Sequence, residues 1–142
     1  MTKRAAAAMI ALAACSGGVW QGVPSMGAQV EAPAGATVEQ TATHAFVGDG
    51  SFALNLFAVN ERSPATADEQ RALLDREDDF VRVTREERGD RTWRFDYALE
   101  DGKAGTIARI VVGGRALDCG VHGVAADVAA RVGDACARVR PR

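Results

Sequence analysis

Residues 93–99 read WRFDYAL, and the alternation in this stretch decides the fold class. Apolar side chains occupy every second position, with small or polar residues between them: Trp93, Phe95, Tyr97 and Leu99 against Thr92, Arg94, Asp96 and Ala98. Side chains of a strand point alternately to its two faces, so this period of two predicts a strand with one face on a core and one in water. We expect the Trp93 face to be core rather than a platform for a ligand.

Three further strands are predicted around this one. Residues 80–85 precede it across a turn at 88–90, and residues 106–112 and 115–121 follow it. The Gly113-Gly114 pair suits a tight hairpin between the last two strands, because such turns need positive φ. Connections this short make neighbouring strands antiparallel, which predicts a meander.

A fifth strand is predicted at residues 52–59. Nearly every position there is apolar, which is typical of a strand covered on both faces. Phe46 and Val47 stand before the turn signal at 48–50 and are expected to pair with this strand as a hairpin.

Two helices complete the predicted fold. Pro64 and a capping-box pair, Thr66 and Glu69, start the first helix, predicted over 63–77. The second is predicted over 123–139, where five residues share one apolar face: Val124, Val128, Val132, Cys136 and Val139. The expected fold is therefore α+β, an antiparallel β meander of about five strands with one internal helix and a C-terminal helix packed on the sheet.

The order of these elements, over the C-terminal two thirds of the chain, is similar to the PsbP-like fold of some small periplasmic lipoproteins. The Pro and Trp that commonly follow the first strand of that family are absent here, where residues 57–60 read FAVN. The resemblance therefore concerns the fold, and no functional residue is carried over.

The N-terminal segment has a basic head, Lys3 and Arg4, and an apolar run that ends in LAAC at residues 12–15. This pattern resembles the bacterial lipoprotein signal, whose lipobox has a Leu, two small residues and the Cys that is lipidated. The resemblance implies a mature chain that starts at Cys15, carries acyl chains such as palmitate, and is held to a membrane by them. Ser16 at the next position implies the outer membrane, facing the periplasm, by similarity to lipoprotein sorting in Gram-negative bacteria.

Two alternatives stay open for this segment: ordinary signal cleavage after Ala28, and an uncleaved segment. The apolar run is too short for a transmembrane helix, which needs roughly 20 residues. The predicted organisation is a signal peptide at 1–14, a flexible tether at 15–40 and an α+β domain at 41–142. The tether is inferred from the Gly- and Pro-rich composition of residues 16–40, which shows no period.

Charge argues against two classes of partner. Without Lys3 and Arg4 the chain carries 15 basic and 19 acidic residues, so the mature protein is mildly acidic. Nucleic acid and anionic lipid both attract clustered positive charge, and neither is expected to bind by net charge. The expected partners are the membrane, through lipid on Cys15, and a protein of the cell envelope.

The cysteines and histidines give the candidate chemistry. If Cys15 takes lipid, Cys119 and Cys136 remain as a pair, which an oxidising compartment is expected to join as a disulfide. The enzymatic alternative is a Cys119 nucleophile with Asp118 beside it and His122 as a nearby base.

No catalytic residue, metal ligand or cofactor is predicted from the sequence. Hydrolase, phosphate-loop and metal-protease signatures do not occur in it. His44 and His122 are too few for a zinc site unless carboxylates join them. The acids Asp75, Glu77, Asp78 and Asp79 lack the spacing of a calcium loop and are expected to be a solvated helix end.

The sequence leaves three classes of function. The first is a non-catalytic module, tethered to the membrane in the periplasm, that binds a protein partner or serves the envelope as an accessory. The second is an immunity or inhibitor lipoprotein that neutralises a toxic or lytic enzyme. The third is the Cys-dependent enzyme, which has no motif behind it.

Overall fold

The computed structural model describes residues 18–142, and the predicted signal peptide and lipidation site at Cys15 lie outside them. The described chain contains ten strands and two α-helices, numbered here in chain order. The strands are β1 Val19–Val23, β2 Ala28–Ala32, β3 Thr37–Gln40, β4 His44–Gly48, β5 Ala53–Ala58, β6 Phe80–Arg88, β7 Trp93–Leu99, β8 Lys103–Val112, β9 Arg115–Ala125 and β10 Arg140–Pro141. The helices are α1 Ala67–Asp75 and α2 Ala126–Ala137.

These strands form two antiparallel sheets. The large sheet has seven strands in the order β3-β4-β5-β9-β8-β7-β6, and the small sheet has three in the order β1-β2-β10. The α+β class and the meander β6-β7-β8-β9 are confirmed. The expected number of about five strands is wrong, because the chain before residue 41 and after α2 adds strands as well.

The flexible tether predicted at 15–40 is wrong for the residues that the structure describes. Residues 19–23 and 28–32 form a hairpin, and residues 37–40 are the edge strand of the large sheet. Val23, Met26 and Val30 are fully or almost fully buried. Their burial supplies the apolar contact that a flexible tether lacks, so the residues from Val19 onward belong to the folded domain.

One face of the large sheet is covered by α2 and by the small sheet. The buried cluster there joins inward residues of three layers: Val30 of the small sheet, Leu54 and Leu56 of β5, and Val132 of α2. The Cys119–Cys136 disulfide fastens β9 to α2 in this layer, with a Cα–Cα distance of 5.8 Å. The predicted disulfide is therefore present in the structure.

The opposite face of the large sheet is covered by α1 at one end only. Leu74 of α1 packs on the β7 residues Trp93, Phe95, Tyr97 and Leu99, which are at most 6% exposed. This confirms the Trp93 face as core. Thr66 caps α1 as expected, since its Oγ1 accepts a hydrogen bond from Glu69 N at 3.1 Å, while the Glu69 carboxylate accepts one from Ala65 N, the residue before the cap, at 2.7 Å.

The prediction that the other face of β7 lies in water is wrong, because α2 covers it. Arg94 is 5% exposed and donates hydrogen bonds to Asp96 and to Asp134 of α2, at 2.9 and 3.0 Å. Burial alone lowers the pKa of Arg94, but these hydrogen bonds outweigh it and raise the pKa above its usual value. Thr106 donates to Asp96 at 2.6 Å, which completes a paired polar network under the helix.

The prediction for residues 52–59 is wrong in the same respect. Leu54 and Leu56 are fully buried, whereas Asn55 is half-buried and Phe57 is 42% exposed. The strand therefore has one buried face, and its second face lies beyond the end of α1.

Candidate functional site: a groove beside the first helix

A groove of about 530 Å³ lies where α1 stops covering the large sheet. Strands β4, β5, β9, β8 and β7 supply one wall and the floor, and α1 supplies the other wall. Its lining residues are His44, Asn55, Phe57, Gln70, Leu73, Leu74, Glu77, Tyr97, Thr106, Ile107, Gly120, Val121 and His122. The groove is the open half of a sheet face whose other half is core.

The length of α1 explains why the groove stays open. The helix has nine residues, and a helix of that length spans about 13 Å, less than the width of seven strands spaced about 4.8 Å apart. It packs on the β7 end of the sheet. On this face of the large sheet, β4, β5 and the middle of β9 have no helix over them.

At one end of the groove an aromatic platform is built from neighbouring strands. His44 of β4 and Phe57 of β5 are direct cross-strand partners, and their rings stack at 4.6 Å with an interplanar angle of 7°. His44 Nε2 and Asn55 Oδ1 are 2.9 Å apart, within hydrogen-bonding distance. These contacts hold the Phe57 ring in place although it is 42% exposed.

At the other end the His122 ring lies between Tyr97 and Asp79. Its Nδ1 lies 3.0 Å from the Tyr97 hydroxyl oxygen, and its Nε2 lies 3.6 Å from Asp79 Oδ2. Burial, together with the negative charges of Glu77 and Asp79, raises the pKa of Tyr97, so its hydroxyl keeps its proton. Gly105 leaves the space that the Tyr97 ring occupies, because a Cβ there would collide with the ring.

Within residues 18–142, one group of side chains has the composition and spacing to hold a metal ion: Glu77, Asp79 and His122. One ligand atom from each lies within 4.8 Å of the others. Two carboxylates and an imidazole are a donor set that zinc accepts, whereas calcium prefers oxygen alone. Glu77 and the His122 side chain are nonetheless solvent-exposed.

The sequence did not predict that these acids and His122 lie together. Asp75 and Asp78 do not belong to the group. Asp75 is the last residue of α1 and the other three acids follow it, all of them exposed or half-exposed, as expected for a solvated helix end. The structure adds His122, which comes from β9, a distant part of the chain.

The Cys119 nucleophile hypothesis does not fit the structure. Cys119 is fully buried and is joined to Cys136 by an S–S bond of 2.07 Å. It belongs to the core layer under α2, whereas His122 points to the groove on the opposite face of the sheet. Asp118 is engaged by Arg109, whose Nε and Nη2 both donate to it.

The sequence did not predict Asn55 and Phe57 as residues of a site. It also did not predict that His44 stacks on Phe57 and contacts Asn55. The signal that was present is Asn55 in the middle of an apolar strand, since a polar residue there marks the face that is not core.

Comparison with known protein families found no matching family model, and comparison with curated proteins found no match either. Among the described residues, neither helix is long and apolar enough to cross a membrane.

Proposed function

We propose that this chain is a non-catalytic, lipid-anchored module of the cell envelope that binds a protein partner in the groove beside α1. The observation that carries the proposal is Phe57, an aromatic side chain that is 42% exposed on an otherwise regular strand and is held rigid by its neighbours. Rigid, accessible aromatic side chains are the usual anchors of protein interfaces.

The apolar surface of the groove supports this proposal. Exposed large apolar side chains in the described part of the chain are Val19, Phe57, Leu73, Val81 and Val111. Two of the five, Phe57 and Leu73, lie on opposite walls of the same groove. A side chain that enters between them is desolvated by both walls, which is where interface energy concentrates.

The charge of the groove defines the chemistry of the partner. Glu77 lines the groove, and Asp79 stands behind His122 at the same end. No lysine or arginine is among the lining residues. The partner segment therefore presents an apolar side chain for the platform at Phe57 and a lysine or arginine for the acidic end of the groove.

The lipid anchor has a direct test. Replacing Cys15 by Ala is expected to move the protein from the membrane to the soluble fraction, because it removes the residue that the lipobox resemblance assigns to lipidation. A Cys15→Ala protein that still fractionates with membranes would contradict the anchor and leave the groove proposal standing.

The groove is tested by site-specific photo-crosslinking in the intact envelope. A photoreactive phenylalanine at position 57 replaces a ring by a similar one, and the same group at Val81 is the control, since Val81 is 49% exposed and lies outside the groove. We expect a discrete adduct from position 57 that Glu77→Lys abolishes, and no such adduct from position 81. Adducts of equal yield at both positions, or an adduct that Glu77→Lys leaves unchanged, would overturn the proposal.

The same adduct separates an adaptor from an inhibitor. If the captured partner is a lytic or toxic enzyme and the purified protein abolishes its activity, the module acts as an immunity or inhibitor lipoprotein. If the partner has no activity that the protein suppresses, the accessory role stands.

A further inference from the structure

The outer face of the small sheet is positively charged, although the chain as a whole is mildly acidic. β2 places Val30 in the core, so its neighbours Gln29 and Glu31 point outward. Three arginines from the C-terminal end of the chain lie on or beside this face: Arg138, Arg140 and Arg142. All three are exposed, and Glu31 is the one acid on this face among the described residues.

The pairing of these arginines leaves most of their charge available. Arg138 donates to Glu31 at 2.8 Å. Within residues 18–142, Arg140 and Arg142 have no carboxylate at salt-bridge distance, and residues 1–17 contain no acid. The Arg140 guanidinium instead stacks over the Trp20 ring at 3.6 Å. An indole beside arginine is the combination that the interface of a membrane favours.

The position of Cys15 in the sequence brings this face close to the predicted anchor. Three residues, Ser16, Gly17 and Gly18, separate Cys15 from β1. Even fully extended, the chain from Cys15 to Val19 reaches only about 14 Å. Because residues 19–40 of the predicted tether belong to the folded domain, a lipid on Cys15 would hold β1 and its neighbours next to the headgroups.

We propose that the outer face of the small sheet, with Trp20, Arg138, Arg140 and Arg142, rests on an anionic lipid surface. This inference depends on the lipid anchor of the proposed function, and it adds the orientation of the domain. The small sheet and the groove lie on opposite sides of the large sheet. The groove then points away from the membrane, where a partner of the envelope can reach it.

The test uses the full lipidated protein in vesicles that contain brominated acyl chains, which quench nearby tryptophan. The chain has two tryptophans, and Trp93 is 6% exposed on the groove side, so the signal that Trp20→Phe removes belongs to Trp20. We expect Trp20 to be quenched in vesicles of phosphatidylcholine mixed with phosphatidylglycerol. In phosphatidylcholine alone, or at high salt, quenching should fall sharply, because the attraction is electrostatic.

A charge-matched pair of variants tests the arginines. Arg140→Gln with Arg142→Gln is expected to weaken the lipid-facing orientation roughly fivefold per arginine, seen as loss of quenching in the anionic vesicles. Arg62→Gln with Arg82→Gln removes the same charge from exposed residues outside this face and should leave quenching unchanged.

Three results of the quenching experiments would overturn the inference. Equal quenching in both kinds of vesicle would remove the role of anionic lipid, and absence of quenching in both would show that the face stands away from the bilayer. Equal loss in the two arginine pairs would reduce the effect to net charge. Mass spectrometry of the Cys15 peptide distinguishes failure of the lipid anchor from failure of the orientation. A peptide without lipid overturns the anchor and this inference together. A lipidated peptide without quenching overturns the orientation alone.

Discussion

The two faces of β5 have opposite surroundings: one is covered by core and the other lines the groove. Leu54 and Leu56 point to the layer of α2 and the small sheet and are fully buried. Asn55 and Phe57 alternate with them and point to the groove. One six-residue strand therefore supplies both core and candidate site, and the difference lies in what covers each face rather than in the strand itself.

The largest loss of stability is expected in the charged network that α2 covers. Asp96→Ala removes the acceptor of Arg94 and of Thr106 under α2, which leaves a buried guanidinium without its main partner. Breaking a buried pair of this kind costs about 3–5 kcal/mol in the free energy of unfolding. Urea unfolding measures it, with Glu87→Ala as the control, because Glu87 pairs with Arg85 on the surface. Equal losses in the two variants would show that the network under α2 behaves as if it were solvated.

Adjacent residues of β5 give the sharpest contrast between the two faces. Leu56→Ala is expected to cost about 2–5 kcal/mol because it opens a cavity in the core. Phe57→Ala is expected to change the unfolding free energy by only about 0.5 kcal/mol, as at other surface positions. Thermal or urea unfolding of both variants measures the difference, and similar losses would mean that the groove is part of the core.

The disulfide strengthens the covered face and should leave the open face unaffected. Reduction of Cys119–Cys136, which closes a loop with a sequence separation of 17, is expected to cost roughly 3 kcal/mol in the chain-entropy model. Titration of the denatured domain without reductant should find neither thiol free. Partner binding should survive reduction under conditions where the domain stays folded. A fast-reacting Cys119 thiol would contradict the structure of this layer.

The smallest effect is expected at the turn that joins β4 to β5. Ser51 N and Oγ both donate to Asp49 Oδ1, and these hydrogen bonds lower the pKa of Asp49 below its usual value. The contribution to stability is therefore present above the unfolded pKa, near pH 4, and is lost as the pH falls through the lower folded pKa. Asp49→Asn should flatten the acid side of the stability profile slightly. A profile unchanged by the variant would show that the turn does not depend on the charge.

The sequence predicted the parts of the fold whose signal is local. WRFDYAL at 93–99 has an uninterrupted period of two, which predicts β7. Cys136 shares one face of α2 with Val128 and Val132, but Val124 and Val139, predicted on the same helical face, lie in β9 and after the end of the helix. The disulfide was predicted because a lipidated Cys15 leaves one pair of cysteines in an exported chain. The small sheet was not predicted from the sequence, and the reason is physical. Gly22, Pro24 and Gly27 interrupt its pattern, and β10, which completes it, comes from the other end of the chain.

The candidate site was mostly beyond local signals. Phe57 and Leu73 face each other across an open groove only because α1 is shorter than the sheet is wide. Glu77 and Asp79 lie beside His122 only because β9 passes under the end of α1. The polar Asn55 between Leu54 and Leu56 was the one local clue that this face of β5 was not core.

The most direct measurement of the groove's role is the affinity of the crosslinked partner for three purified forms of the protein: wild type, Phe57→Ala and Val81→Ala. Both variants shorten an exposed apolar side chain, and only Phe57 lies in the groove. We expect Phe57→Ala to weaken binding at least tenfold, about 1.4 kcal/mol or more, while its melting temperature falls by only a few degrees, and Val81→Ala to bind like the wild type. Wild-type affinity in Phe57→Ala, or equal weakening in both variants, would contradict the assignment of the groove as the binding surface.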